Sequence, residues 1–197
     1  MRNRLILALL GVFARLAFAQ PQAFSRPQAP GPAQTLAHRI DIPHDSPVTL
    51  AGDEWGGSGA TIRGGAYAID VKLALSLRNS SQRRVRGVTL TVLAQEATPG
   101  GKGSISVPSL DVAPGETFTV RGDLHLLRPI GAESSPLVEV SLDGILFDDL
   151  TFYGPNKLLS RRSMMVWELE ARRDRQFYRA LLEQSGQIGR ASCRERV

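Results

Sequence analysis

Apolar and polar residues alternate with a period of two along most of the chain from Val48 onward. In the clearest stretch, Ala66 to Arg78, every second residue is large and apolar: Tyr67, Ile69, Val71, Leu73, Leu75 and Leu77. This pattern predicts a long strand with one buried face and one mostly polar face. The run Asn79-Ser80-Ser81 then predicts a turn, and the alternation of Val88, Leu90 and Val92 predicts the next strand.

More short strands, separated by turn signals, are expected further along. One follows the break at Pro99-Gly100-Gly101, and a longer one follows the turn Ala113-Pro114-Gly115-Glu116. Leu137 to Phe152 is expected to form a hairpin, because Asp143-Gly144 is a favoured pair for a two-residue type I′ turn. Strands of this length and spacing predict a mainly β chain with an antiparallel β-sandwich over residues 37–162.

The pattern changes after Gly154-Pro155-Asn156. Met165, Trp167 and Leu169 alternate as a last strand would, with Trp167 in the core, and the composition that follows favours a helix. We therefore predict a last strand plus a C-terminal helix over residues 163–186. A single helix starting at Ser163 is the alternative interpretation.

The first nineteen residues have the features of a secretory signal peptide. Arg2 and Arg4 precede a short apolar run, and Ala17-Phe18-Ala19 matches a cleavage signature. The apolar run is too short to cross a bilayer, so residues 1–19 predict export without a transmembrane segment. Residues 20–36 are rich in proline, glutamine and alanine, and we expect a disordered spacer there. The mature protein is therefore expected in the periplasm or outside the cell.

No fold is predicted for residues 187–197. The run IGRASCRERV, Ile188 to Val197, resembles the translation of a common short-read sequencing adapter. We therefore expect an artefactual tail at this end, with the native sequence beyond about Gly186 unknown. A natural basic tail is the alternative, and re-reading the gene across these codons distinguishes the two.

Charge and cysteine content change once both end segments are set aside. The chain carries 24 Lys and Arg against 19 Asp and Glu, a net charge of +5. This excess lies in the predicted signal peptide and tail, so a nucleic-acid or anionic-membrane partner is not expected. The only cysteine, Cys193, lies in the same tail, so we expect no disulfide, Cys-ligated zinc or cysteine nucleophile.

The run LSLRNSSQRRVRGVTLTV, followed by VAPGETFTV, resembles the immunoglobulin-like and adhesion-related β-sandwich modules of bacterial exported proteins. The resemblance covers Ala66 to Phe152 and implies an immunoglobulin-like fold, although this chain lacks the cysteine pair of antibody-type domains. Modules of this class serve in binding, spacing or assembly and share no catalytic residues, so the resemblance implies none in this chain.

The densest group of possible metal ligands comprises His38, Asp41, His44 and Asp45. Imidazole and carboxylate groups together can bind a divalent ion. The neighbouring prolines, Pro43 and Pro47, favour an extended chain that would separate these side chains. Polar residues in a loop near the start of the domain are therefore the alternative interpretation.

A second pair of carboxylates, Glu139 and Asp148, is expected to face across the predicted hairpin. Like charges in such positions destabilise a sheet, so Arg161 or Arg162, solvent, or a bound cation such as Ca²⁺ should compensate. The pair also has the residue types of a glycosidase, but nothing else in the chain supports that chemistry.

Trp55 is the candidate ligand-binding residue, because it lies among glycines in Gly52-Asp53-Glu54-Trp55-Gly56-Gly57. An aromatic ring on a mobile loop can stack on a sugar, or it can cover the end of the sandwich. His125 is expected on the outer face of a strand. Because no histidine lies near a nucleophile elbow, Ser-His-Asp catalysis is not expected.

The predicted helix is locally basic, and we expect a solvated face in which Glu168 and Glu170 pair with Arg172 and Arg173. A docking surface for an acidic partner is the alternative.

Two functional hypotheses follow. The first is an exported, non-enzymatic module for interaction or structure in the bacterial cell envelope, with a protein or glycan partner and no cofactor. The second is a carbohydrate- or metal-binding accessory module that uses Trp55 or the His/Asp group. A hydrolase is a weaker third hypothesis.

Overall fold

A computed structural model describes residues 36–97, 99–131 and 137–194, so the predicted signal peptide and nearly all of the predicted spacer lie outside the described residues. The described residues form nine strands and a helix. In chain order these are β1 (Ala37–Asp41), β2 (Val48–Glu54), β3 (Gly59–Arg63), β4 (Ala66–Asn79), β5 (Val85–Leu93), β6 (Lys102–Val107), β7 (Thr117–Pro129), β8 (Leu137–Phe147), β9 (Phe152–Tyr153) and α1 (Ser160–Arg194).

The first sheet is built around β4, the long strand that the alternating pattern predicts. Strands β2 and β3 lie end to end along one edge of β4, and β7 pairs with the other edge from Ala66↔Pro129 to Arg78↔Thr117. All these pairings are antiparallel. The apolar face of β4 is buried from Tyr67 to Leu77, which confirms the prediction.

The second sheet has the strand order β1-β8-β5-β6, with β9 also paired to β8. Strand β1 runs parallel to β8, from Ala37↔Leu137 to Asp41↔Ser141, so the sheet is mixed and the prediction of a purely antiparallel arrangement is wrong. A parallel pair needs a long connection, and in this fold almost the whole domain lies between the two strands. Such a pairing leaves no local signal in the sequence.

The two sheets share one apolar core. Val71 and Leu75 of β4, Leu90 of β5 and Val140 of β8 belong to the same cluster of buried side chains, each at most 1 % exposed. Burial of this kind is the main source of stability in a domain for which no disulfide is expected. The chain is therefore mainly β, with several sheets and a C-terminal helix.

Two predicted turns are present. One depends on the backbone conformation of a glycine, and the other is held by a buried side chain. In Ala113-Pro114-Gly115-Glu116, Gly115 has a φ of 81°, which suits the third position of a type II turn. Asn79 is fully buried at the end of β4, and its side-chain nitrogen donates to the carbonyl oxygens of Arg83 (2.8 Å) and Val112 (3.2 Å). The glycine and asparagine therefore fix the chain reversals that the sequence predicts.

The predicted hairpin at Asp143-Gly144 is wrong, because β8 runs straight through both residues. The register with β5 shifts there, since Thr89 pairs with Gly144 and Leu90 with Leu142, and Asp143 is the additional residue of a β-bulge. Glycine is required at position 144 for a steric reason and not for a turn. A Cβ on this glycine would lie 2.1 Å from Cζ of Phe152, whose ring crosses the strand.

The predicted last strand within residues 163–170 is also wrong, because α1 begins at Ser160 and includes all of it, in agreement with the alternative of a single helix. Ser160, Met164 and Glu168 are buried at intervals of one helical turn. The apparent alternation of Met165, Trp167 and Leu169 is incidental, and Trp167 is 44 % exposed rather than in the core. The helix extends to Arg194, past the predicted end at residue 186.

Candidate functional site

Two of the predicted candidates, His38 and Trp55, meet at one end of the two sheets. Their rings stack with centroids 4.0 Å apart and an interplanar angle of 21°. Asp53 lies beside both: its Oδ2 accepts a hydrogen bond from Trp55 Nε1 at 2.8 Å and lies 3.4 Å from His38 Nε2. Trp55 also packs against the core, so its indole is held as a cover over this end. In the sequence, Asp53 could have been recognised from its position two residues before Trp55.

The other candidate metal ligands are placed differently. The side chain of Asp45 contacts Tyr153, whose pKa is raised by burial and, further, by the charge and hydrogen bonding of Asp45. His44 lies in the turn after β1. Among the described residues, no group of three or more His, Cys, Asp or Glu is arranged to hold a metal ion, and the predicted set of His38, Asp41, His44 and Asp45 is not brought together as one.

Glu139 and Asp148 do not face each other, so that prediction is wrong. Glu139 lies within β8, opposite Arg39 of β1 and Leu93 of β5, whereas Asp148 follows the end of the same strand. The compensation expected from Arg161 or Arg162 is therefore not needed.

A buried ion-pair cluster, which the sequence indicates only in part, joins α1 to the second sheet. Glu168 is 1 % exposed, and its Oε1 accepts hydrogen bonds from Arg172 Nε at 2.8 Å and Arg175 at 3.0 Å. Nε of Arg86, on β5, lies 3.8 Å from the same oxygen. The Glu168–Arg172 and Glu170–Arg173 pairs confirm the predicted spacing, but Glu168 is not on a solvated face.

The cluster extends to Asp111 at the edge of the sheet. Arg84 and Arg86 lie 2.9 and 2.8 Å from the Asp111 carboxylate. The hydrogen bond from Arg84, followed by the charges of Arg86 and Arg84, holds the pKa of Asp111 below its usual value despite some desolvation. The surface beside α1 is therefore dominated by arginine.

Both beside this cluster and beyond it, α1 presents apolar side chains to solvent. Leu182 is 72 % exposed, Phe177 62 % and Tyr178 60 %. Val166, Trp167, Leu169 and Leu181 are exposed as well. We call these seven residues the exposed apolar face of α1. Among the described residues, no helix is both long and apolar enough to cross a membrane.

His125 lies on the outer face of the first sheet, as predicted, and its Nδ1 is 2.6 Å from Asp70 of the neighbouring strand.

Comparisons with protein-family models, with curated proteins and with solved structures found no match to this chain.

Proposed function

We propose that this chain is an exported, non-enzymatic module of immunoglobulin-like β-sandwich type, which serves in interaction or structure in the bacterial cell envelope and assembles as a symmetric dimer through α1. The exposed apolar face of α1 is the observation that carries this proposal. The amino-terminal sequence supports export, and the two sheets around one core support the sandwich.

Part of the exposed apolar face, including Val166 and Phe177, is directed away from the domain, whereas Tyr178 and Leu182 lie on the same side of the helix as Ser160 and Met164. Met164 and Glu168 are the buried residues of the helix, and at 100° per residue Val166, Phe177 and Leu181 lie on the opposite side of the cylinder. Contiguous apolar surface of this kind, bordered by charged residues, is typical of protein–protein contact sites. We assign this surface to a second copy of the chain, because Arg173 and Asp174 can pair across a two-fold axis.

The sequence of α1 is complementary to itself in the antiparallel direction. A two-fold axis between Arg173 and Asp174 places each arginine beside the partner's Asp174. The same axis places Val166 opposite the partner's Leu181. Such an interface is isologous and closes at two copies. Its ion pairs set the register, while the apolar side chains provide the burial.

Sedimentation velocity at increasing concentrations of the purified protein tests this proposal, with Cys193→Ser present throughout to exclude disulfide-linked dimers. We expect a concentration-dependent dimer that Leu181→Glu abolishes. Asp174→Arg should also weaken the dimer, because it places arginines against arginines, and Arg173→Asp combined with Asp174→Arg should restore it.

Ile62→Glu is the matched control, since Ile62 is a similarly exposed apolar residue on β3, far from α1 in the fold. It should leave the dimer intact. A protein that stays monomeric at all concentrations would refute dimerisation, and a dimer insensitive to the charge exchange would refute this register.

The alternative of a carbohydrate- or metal-binding accessory module depends on Trp55 and the His/Asp group. His38 covers the indole by stacking, and the described candidate ligands form no metal group. These contacts favour the interaction module over the alternative.

A further inference from the structure

A cavity of about 490 Å³ lies on the first sheet, but a smaller cavity of about 330 Å³ beside α1 has the more distinctive chemistry. It is bounded by β5, the turn after β8 and the middle of α1. Its lining residues are Arg86, Asp148, Arg172, Arg175, Gln176 and Arg179. Four guanidinium groups therefore surround one small space.

The donors of these arginines are only partly used within the protein. Arg172 and Arg175 each donate to Glu168, and Arg172 also donates to the carbonyl oxygen of Asp148. Arg86 uses Nη1 for the Asp111 carboxylate at 2.8 Å and the Leu110 carbonyl oxygen at 3.2 Å, while its buried Nε has no hydrogen-bond partner among the described residues. None of the described residues accepts a hydrogen bond from Arg179. Because a guanidinium has five N–H donors, several remain available.

The charges at this place do not balance. Glu168 and Asp148, together with Asp111 at 2.8 Å from Arg86, supply three carboxylates against the four arginines that line the cavity. Glu168 lies beneath the guanidinium groups, 1 % exposed, and fixes Arg172 and Arg175 in place. An arginine that is already held loses less conformational entropy when it binds a ligand.

We propose that this cavity binds a tetrahedral oxyanion, a phosphate or sulfate group, through Arg179, Arg175 and Arg86. Guanidinium groups bind such oxyanions by paired, charge-assisted hydrogen bonds. Gln176 can donate through its amide. The Asp148 carboxylate repels any anion at this place, so binding requires the guanidinium donors to outweigh that repulsion. This site is independent of the proposed dimer, whose apolar side chains lie on other positions of α1.

Titration of the purified protein with inorganic phosphate, followed by the side-chain Nε–Hε resonances of its arginines in NMR spectra, tests the proposal. We expect saturable shifts for Arg179 and Arg86, absent when potassium chloride is added to the same ionic strength. Inorganic sulfate should produce the same shifts, and acetate much weaker ones.

Arg179→Gln is the main variant, since Arg179 has no described partner whose loss would unfold the domain. Its removal should raise the phosphate Kd about tenfold, the loss expected for one charge-assisted hydrogen bond. Arg162→Gln is the matched control, because Arg162 is an exposed residue of the same helix that neither lines the cavity nor belongs to the proposed dimer contacts. An unchanged Kd in Arg179→Gln, or equal shifts with chloride, would overturn the proposal and leave a nonspecific ionic effect.

Discussion

Gly144→Ala tests why the pair Asp143-Gly144 occurs within a strand. Gly144 does not have a positive φ, so alanine can adopt its backbone conformation. The added Cβ, however, would lie 2.1 Å from Cζ and 2.6 Å from Cε2 of Phe152. Because carbon atoms in contact are about 3.5 Å apart or more, the ring must move by roughly 1.5 Å.

The expected cost follows from this displacement. Inserting a methyl group into a packed site destabilises a protein by about 1–3 kcal/mol. Alanine also restricts the unfolded chain, which offsets about 0.4–1 kcal/mol of that cost. We therefore expect Gly144→Ala to lower the free energy of unfolding by about 1–2 kcal/mol. In a chain of this size, each kcal/mol lowers the Tm by about 2–4 °C.

A double-mutant cycle with Phe152→Ala isolates the steric cause. Without the ring the three closest contacts of the added methyl group are removed, so Gly144→Ala should become neutral or slightly stabilising in that background. Urea unfolding of the four proteins, analysed by linear extrapolation, gives the coupling free energy. Gly52→Ala is the control, because a Cβ at Gly52 would have no atom within 4 Å. If Gly144→Ala costs the same with and without the ring, the steric explanation for this glycine is refuted.

Three further predictions concern buried polar groups and pH. Asn79→Ala should destabilise the protein by about 2–3 kcal/mol in urea unfolding, because two buried carbonyl oxygens lose their donor. Glu168→Ala should cost about 1–3 kcal/mol, since Arg172 and Arg175 lose a buried acceptor but are 35 % and 42 % exposed and can be hydrated in its place, whereas Glu170→Ala at the exposed pair should change stability by less than about 0.5 kcal/mol. The lowered pKa of Asp111 contributes stability that is present above its usual pKa of 3.8 and lost as the pH falls below it. Thermal unfolding of Asp111→Asn should therefore depend less steeply on pH in acid, and an unchanged slope would contradict this.

The parts of the fold that were predictable are those with local signals. The alternation in Ala66 to Arg78 identifies β4 because one face of that strand is buried along its whole length. The turn at Gly115 is recognisable because its conformation requires glycine. In both cases the residues themselves determine the structure with little help from distant segments.

The predictions are wrong where contacts with residues distant in the sequence determine the structure. Asp143-Gly144 has the local preference of a hairpin turn, but Asp143 is 1 % exposed and binds the start of α1. Its carboxylate accepts hydrogen bonds from Ser160 Oγ at 2.6 Å and from the Leu158 backbone at 3.2 Å. In a turn at the surface, that carboxylate would instead be exposed to solvent. The aspartate is therefore placed for a contact with residues far along the chain, which the dipeptide cannot reveal.

The candidate sites follow the same rule. His38 and Trp55 were identifiable as residue types, yet their stacking depends on bringing β1 of one sheet next to the loop after β2 of the other. The spacing of Glu168 and Arg172 was recognisable as a helical ion pair. The burial of Glu168 was not, because it depends on Arg86 of β5.

The anchoring of α1 connects these observations to the proposed dimer. The helix is held to the second sheet at Ser160, Met164 and Glu168, one residue per turn on a single side. Beyond Arg175 every described side chain of α1 is exposed, as far as Ser185. Helical segments without tertiary packing are marginally stable in water, because most of a helix's stability comes from burying its apolar side. The outer part of α1 therefore gains its stability most readily from a partner that covers Phe177, Leu181 and their neighbours, which is what antiparallel pairing with a second copy provides.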